Sequence, residues 1–305
     1  MPRLPILALL LVLSSCDAID EPSDRPHEEA LSLSGESLAR LAPTGEPLTH
    51  YTSELAGARA RWEQDGLELD AIWVGRHLGY LGRYREAIDW FTERLVDFPE
   101  SVRLLRHRGH RLISVRRFDD AIGDLEKAWQ LAQNGTDEIE PDGAPNEQGI
   151  PRSTTHTNVL YHLALAHYLK AEFAPAADYW KLCADLSPND DMLVASLNWY
   201  VHALRRGGNE EEARQALERV MPTMDVIENH TYHRLLLLQK GELTSDEILD
   251  ADSDGVQNAT AAYGIGAWAY CDGQGDRAAE LWERLVAETP WNAFGHICAE
   301  AELKR

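Results

Sequence analysis

The feature that most constrains this chain is a spacing. Gly75 recurs 34 residues later as Gly109, Tyr84 as Phe118, Ala87 as Ala121 and Phe91 as Leu125. The dipeptide Ala87-Ile88 returns at the same interval as Ala121-Ile122. Each match keeps the size and polarity that packing would demand. A fixed period of this length is what stacked supersecondary units produce, because one unit alone cannot bury its apolar face. Further copies follow. One, at about 157–190, carries Ala164, Phe173, Ala176, Trp180 and Pro188; another, at about 191–224, has Gly207-Gly208, Ala213 and Leu217. The last, at about 259–292, has Gly266, Gly273, Ala278, Trp282 and Pro290. With the first two copies at about 68–101 and 102–135, the array holds five units.

Within a unit the order is a small residue, a glycine turn, an alanine and a large apolar residue, then a proline stop. GYLGRYREAIDWFTERLVDFP (Gly79 to Pro99) resembles the tetratricopeptide repeat on these residues. The resemblance covers about residues 68–292. It implies an all-α, right-handed superhelical solenoid of about five helix pairs. A shortened pair is expected over 228–249, with a turn at Gly241, and a C-terminal capping helix over Ala293–Lys304. One more helix, Thr52 to Asp65, precedes the array, so the solenoid spans 51–305 with roughly twelve helices and no strand. Asn134 to Thr155, rich in Gly, Pro and acid, reads as a long loop. The stretches RHRGHR, ENHTYHRLLLLQKGE and AYGIGAWAY resemble a group of bacterial tetratricopeptide lipoproteins of unassigned function. That likeness implies export and names no activity.

The leader points the same way. Arg3 is followed by an apolar run, Leu4 to Leu13, too short to span a bilayer but suited to an export signal. Leu13-Ser14-Ser15-Cys16 resembles a lipobox, which implies a signal peptide over 1–16 and a lipidated Cys16; an ordinary secretory leader is the alternative. Residues 17–50, rich in Glu, Ser, Pro and Gly, are expected to form a flexible tether. No apolar run reaches the roughly 18 residues of a membrane span, so membrane attachment is expected only through the lipid. The expected location is the bacterial envelope, facing the periplasm or exterior, with inner or outer membrane left open.

In such arrays the first helix of each unit lines the concave face. Projecting those helices places Arg76, Tyr80, Arg103, Arg106, His110, Asn158, Tyr161, Tyr168, Asn198, His202, Arg206, Tyr263 and Tyr270 inward. The stretch RLLRHRGHRLISVRR (Arg103 to Arg117) contains no acid, in a chain of net charge -22. A basic strip inside an acidic shell draws anions into the groove, and Arg forks and Asn amides suit carboxylates. The chemistry resembles that of tetratricopeptide domains that clamp acidic peptide tails. The expected partner is therefore a peptide or protein with anionic groups. The acidic balance, 51 Asp and Glu against 29 Lys and Arg, argues against nucleic acid.

Sharper chemistry finds less support. Two HxxH spacings, His107 with His110 and His230 with His233, put paired imidazoles on one helical face; with His162 and His167 they carry an alternative reading as a metal site. Asp250-Ala-Asp-Ser-Asp-Gly255 copies half of a calcium loop but has Ala261 where the bidentate Glu belongs. Cys183, Cys271 and Cys298 read as small apolar residues of helices. No nucleophile elbow, phosphate loop or dinucleotide fingerprint occurs. The expectation is a scaffold or adaptor without cofactor, not an enzyme.

Overall fold

A computed structural model describes residues 28–141, 146–249 and 255–305. Cys16 with its leader, residues 17–27 of the expected tether and residues 250–254 of the acidic loop lie outside the described residues.

Six helix pairs follow one another: α2 (Glu68–Tyr80) with α3 (Tyr84–Asp97), α4 (Val102–Ser114) with α5 (Phe118–Ala132), α6 (Thr155–Leu169) with α7 (Phe173–Leu186), α8 (Asp190–Arg206) with α9 (Glu210–Leu217), α10 (His230–Gln239) with the short α11 (Ser245–Leu249), and α12 (Gly255–Cys271) with α13 (Gly275–Glu288). One helix precedes them, α1 (Gly45–Asp65), and one closes them, α14 (Phe294–Leu303). Among the described residues these fourteen helices, against roughly twelve expected, form an array of tetratricopeptide-type pairs, one pair shortened; the expectation of no strand fails there only at a short N-terminal hairpin.

The residues of the 34-residue pattern explain the pairing. A Cβ on Gly75 would stand 2.2 Å from the Phe91 ring, one on Gly109 2.7 Å from Leu125, and one on Gly266 2.4 Å from Trp282. Only glycine lets the two helices of these pairs approach so closely. Every pair also turns in the same way. The N–H groups of Arg83, Arg117, Glu172, Asn209, Glu242 and Gln274 each donate to the carbonyl five residues earlier, at 2.8–3.0 Å. The residue before each donor has a positive φ: Gly82, Arg116, Ala171, Gly208, Gly241 and Gly273. This is the left-handed cap that ends a helix by satisfying its last carbonyls.

Stacked rings join the later pairs. Trp180 lies on Trp199, Trp199 on Tyr263 and Tyr263 on Trp282, with centroids 5.5, 5.5 and 6.2 Å apart. Tyr168 meets three of these rings edge-on.

The array does not stay open. Residues between α13 and α14 reach the first pair: Asn292 Nδ2 donates to the Tyr84 hydroxyl at 2.7 Å, and Trp291 packs edge-on against the Tyr84 ring. Arg116, at the turn of the second pair, holds Glu300 of α14 at 2.7 Å. A two-stranded hairpin, β1 (Glu28–Leu31) and β2 (Ser37–Ala39), covers this junction. Within 17–50, where a flexible tether is expected, the described residues therefore hold a folded hairpin and the start of α1, seven residues ahead of Thr52. The reason is specific packing. Ala30 clusters with Tyr84 and Trp291, and Glu29 is buried, accepting from Arg40 Nε at 2.9 Å and from the Arg85 N–H at 3.1 Å. Trp291 Nε1 donates to the Ala39 carbonyl at 2.8 Å, and Lys304 Nζ to that of Leu33 at 2.5 Å.

Candidate functional site: the concave face

The curl of the array decides what its inner side can do. In the later half the residues expected to line a groove are core. Tyr161 accepts from Trp199 Nε1 at 2.6 Å and shares a hydrogen bond with the Tyr232 hydroxyl at 3.0 Å. Tyr263 donates its hydroxyl proton to Tyr168 at 2.7 Å. Asn198 and His202 are buried. Arg206 pairs with Glu302 of α14 and lies over the Phe173 and Tyr270 rings. Of this half only Tyr270 is exposed. These side chains meet the chain itself rather than an open groove. Helix α6 makes the reason plain: every residue except Asn158 is buried, because α4, α8 and α14 all touch it besides its sequence neighbours.

The earlier half is polar and is crossed by an acidic segment. The chain runs extended through residues 137–141, paired to 153–155 by Glu140 N–H to the Ser153 carbonyl and Thr155 N–H to the Glu138 carbonyl, at 3.2 and 2.8 Å. Glu138 pairs with Arg103. Glu140 lies 3.2 Å from Arg106 and 3.1 Å from His107 Nε2, and accepts from Asn158 Nδ2 at 2.9 Å. Arg76 Nη1 donates to the Pro141 carbonyl at 2.6 Å. Four of the expected groove residues, Arg76, Arg103, Arg106 and Asn158, are thus engaged by Glu138–Pro141. The loop's residues Glu138, Glu140 and Pro141 belong to the site although they were not candidates. Their signal is the alternation of acids in TDEIEP, set against the acid-free strip of α4.

Beside Arg106, which holds Glu140, lies a cavity of about 140 Å³ whose polar lining is Arg76, Tyr80, Arg106, His107, His110 and Arg111 and whose apolar wall is Phe91 of α3 with Gly75. Arg76 Nη2 donates to the Tyr80 hydroxyl at 3.1 Å and the guanidinium stacks over Trp73. Arg111, also not singled out by projection, approaches His110 Nε2 at 2.6 Å and lies over the Tyr84 ring. The His110 ring faces His162, with centroids 4.4 Å apart, and also meets Phe294 of α14. Burial, then the neighbouring Arg106, pushes His107 down to about 3. His162 is likewise pushed down to about 3, and His110 falls well below its ordinary value, in both cases chiefly by burial. Burial alone would raise the Glu140 carboxyl, yet Arg106 and then His107 hold it well below the carboxylate range. The site therefore presents guanidinium cations among neutral imidazoles.

Of the histidines read as a possible metal site, His110 and His162 come together, while His167 and His233 lie on other partners. His233 Nε2 meets the Met221 carbonyl at 2.8 Å, and His167 Nδ1 lies 2.7 Å from Glu172. Among the described residues no group of three or more His, Cys, Asp or Glu side chains is placed to hold a metal ion.

Comparison with known proteins gives likeness of architecture only. No known family profile matches the chain, and no curated protein matches it. A tetratricopeptide repeat protein from Parabacteroides merdae aligns with TM-score 0.49 and 12% identity, covering 83% of this chain and 93% of its own. A structure of MamA from AMB-1 aligns with TM-score 0.39 and 19% identity, covering 56% of this chain and 88% of its own. The fold assignment rests on this chain's own pairs, turns and glycine contacts.

Proposed function

We propose that this chain is an interaction scaffold that receives an acidic, extended segment of a partner protein on the earlier half of its concave face. The observation that supports this is the chain's own Glu138–Pro141 segment, whose carboxylates lie on Arg103 and Arg106 and whose carbonyl lies on Arg76. These donors suit acidic polypeptide, since guanidinium–carboxylate pairs are the stronger and more directional hydrogen bonds. A partner segment would compete with the chain's own for the same donors. We further propose export and anchoring through a lipid on Cys16, for which the leader motif is the support.

The experiment uses a labelled peptide with the sequence of residues 136–141, TDEIEP, and the full chain carrying Glu138→Gln with Glu140→Gln. The variant is expected to bind the peptide at least tenfold more tightly than the wild type, whose tethered segment competes at high effective concentration. Binding of the TDQIQP peptide with equal affinity would sink the reading. The anchor has its own test: Cys16→Ala should abolish palmitate labelling, and persistent labelling would contradict it.

A further inference from the structure

The search for a second function leads to the cavity beside Arg106, because its charge is not balanced by its neighbours. Three guanidiniums line it, those of Arg76, Arg106 and Arg111. Glu140 reaches Arg106, while among the described residues neither Arg76 nor Arg111 pairs with a carboxylate. The imidazoles beside them are neutral at physiological pH, so the surroundings carry an excess of two positive charges.

Such an arrangement is costly as it stands. Arg106 is only 9% exposed, and its Nε has no hydrogen-bond partner among the described residues. A buried donor left unmade is expensive, and like charges gathered out of water more so. Burial makes the Arg106 proton easier to lose; Glu140 opposes this, and Arg76 and Arg111 add to it. Arg111 is nonetheless held in place, by His110 Nε2 at 2.6 Å and by the Tyr84 ring beneath its guanidinium.

We propose that this cavity binds one dianionic phosphate group. Two negative charges balance the excess, whereas a single carboxylate would leave one guanidinium uncompensated. Planar guanidinium forks match phosphate oxygens in pairs, and the Tyr80 hydroxyl supplies a further polar contact at the wall. A volume of about 140 Å³ admits a tetrahedral oxyanion and excludes a whole nucleotide. Glu140 stays on Arg106, so the proposal does not rest on displacement of the acidic segment. The phosphate is either free or a monoester at the end of a larger ligand.

Calorimetric titration of the full chain in detergent tests this with inorganic phosphate, glycerol 3-phosphate and acetate. The expected result is saturable binding of one inorganic phosphate per chain, at least tenfold tighter than acetate. Tighter binding of glycerol 3-phosphate would identify a monoester as the ligand, and weaker binding the free ion. Arg111→Gln should weaken phosphate binding at least tenfold, while Arg117→Gln, an exposed residue paired with Asp120, should leave it unchanged. Arg111→Lys, which keeps the charge but loses the planar fork, should weaken it too and covers the case in which Arg111→Gln does not fold. Absence of saturable phosphate binding by the wild type, or equal affinity in a folded Arg111→Gln, overturns the proposal.

Discussion

Arg116 and Glu300 stand 184 residues apart in the chain and 2.7 Å apart in space. Arg116 occupies the left-handed turn position of the second pair with φ of 65°, where four of the other five pairs have glycine. Its guanidinium donates twice to Glu300 Oε2, once to the Trp291 carbonyl at 2.9 Å and once to that of Ser114. The Leu33 N–H of the hairpin donates to the other Glu300 oxygen. One turn residue thus ties the second pair, the last helix and the hairpin together, and curls a repeat array upon itself.

Breaking that tie should be costly. Both side chains are nearly fully buried, and removing one partner of a buried pair strands the other charge, at about 3–5 kcal/mol. Glu300→Gln is expected to lower the urea midpoint accordingly without changing helix content. A loss below about 1 kcal/mol, the value of an exposed pair, would mean that the closure does not depend on this contact.

Ala171 has the same left-handed backbone, φ of 62°, but none of these partners. Its side chain is exposed, so it gains nothing from the turn it occupies. A left-handed conformation costs a non-glycine residue on the order of 1 kcal/mol. Ala171→Gly should therefore stabilise the chain by about 0.5–1 kcal/mol, read as a rise in melting temperature. A fall would show that the greater freedom of glycine in the unfolded chain outweighs the relief.

The close crossings should be intolerant. A Cβ at Gly75 collides with the buried Phe91 ring at 2.2 Å, and that ring stacks on His107 with centroids 5.9 Å apart. Overpacking of this kind costs about 1–3 kcal/mol. Gly75→Ala should lose that much, and Gly123→Ala, where no atom lies within 4 Å, should lose nothing. Equal melting temperatures for the two would refute the crossing argument.

The same glycines show why the fold was legible and the site less so. Gly75, Gly109 and Gly266 mark helix crossings because their neighbours are fixed within the unit, a local matter that the 34-residue pattern records. Whether an inner face stays open depends on contacts far apart in the chain, such as Arg116 with Glu300. One local sign existed: THTNVLYHLALAHYL contains no Asp, Glu, Lys or Arg, and a helix without a charged face is covered on every side. Projection onto α6 still placed Tyr161 and Tyr168 facing inward, but inward is core there. The hairpin is not legible because Glu29 and Arg40 look like solvated tether residues until Glu29 meets the Arg85 N–H and Ala30 packs on Tyr84.

Buried titratable groups predict a narrow window of stability. Burial pushes His77 down to about 4 and His107, His162 and His202 down to about 3. The unfolded chain takes up protons near pH 6.5 that the folded chain refuses, so stability is full above about 6.5 and falls as pH drops toward the folded values. Each imidazole then costs about 2 kcal/mol at pH 5, and four together approach the whole stability of an ordinary domain, about 5–15 kcal/mol. Burial raises Tyr161, Tyr168, Tyr263, Cys183 and Cys298. Their contribution is complete below the unfolded values, about 8.5 for Cys and 10 for Tyr, and is lost as pH rises beyond them. Melting temperature is therefore expected to plateau between about pH 6.5 and 8.5 and to fall on both sides, more steeply toward acid. His202 sharpens the test, since it is fully buried and its Nε2 has no partner among the described residues. His202→Leu should flatten the acid limb by about 1.4 kcal/mol per pH unit, the contribution of one proton. An acid limb unchanged by that substitution, or a flat profile from pH 7.5 to 5, would show that these imidazoles are not held neutral in the folded chain.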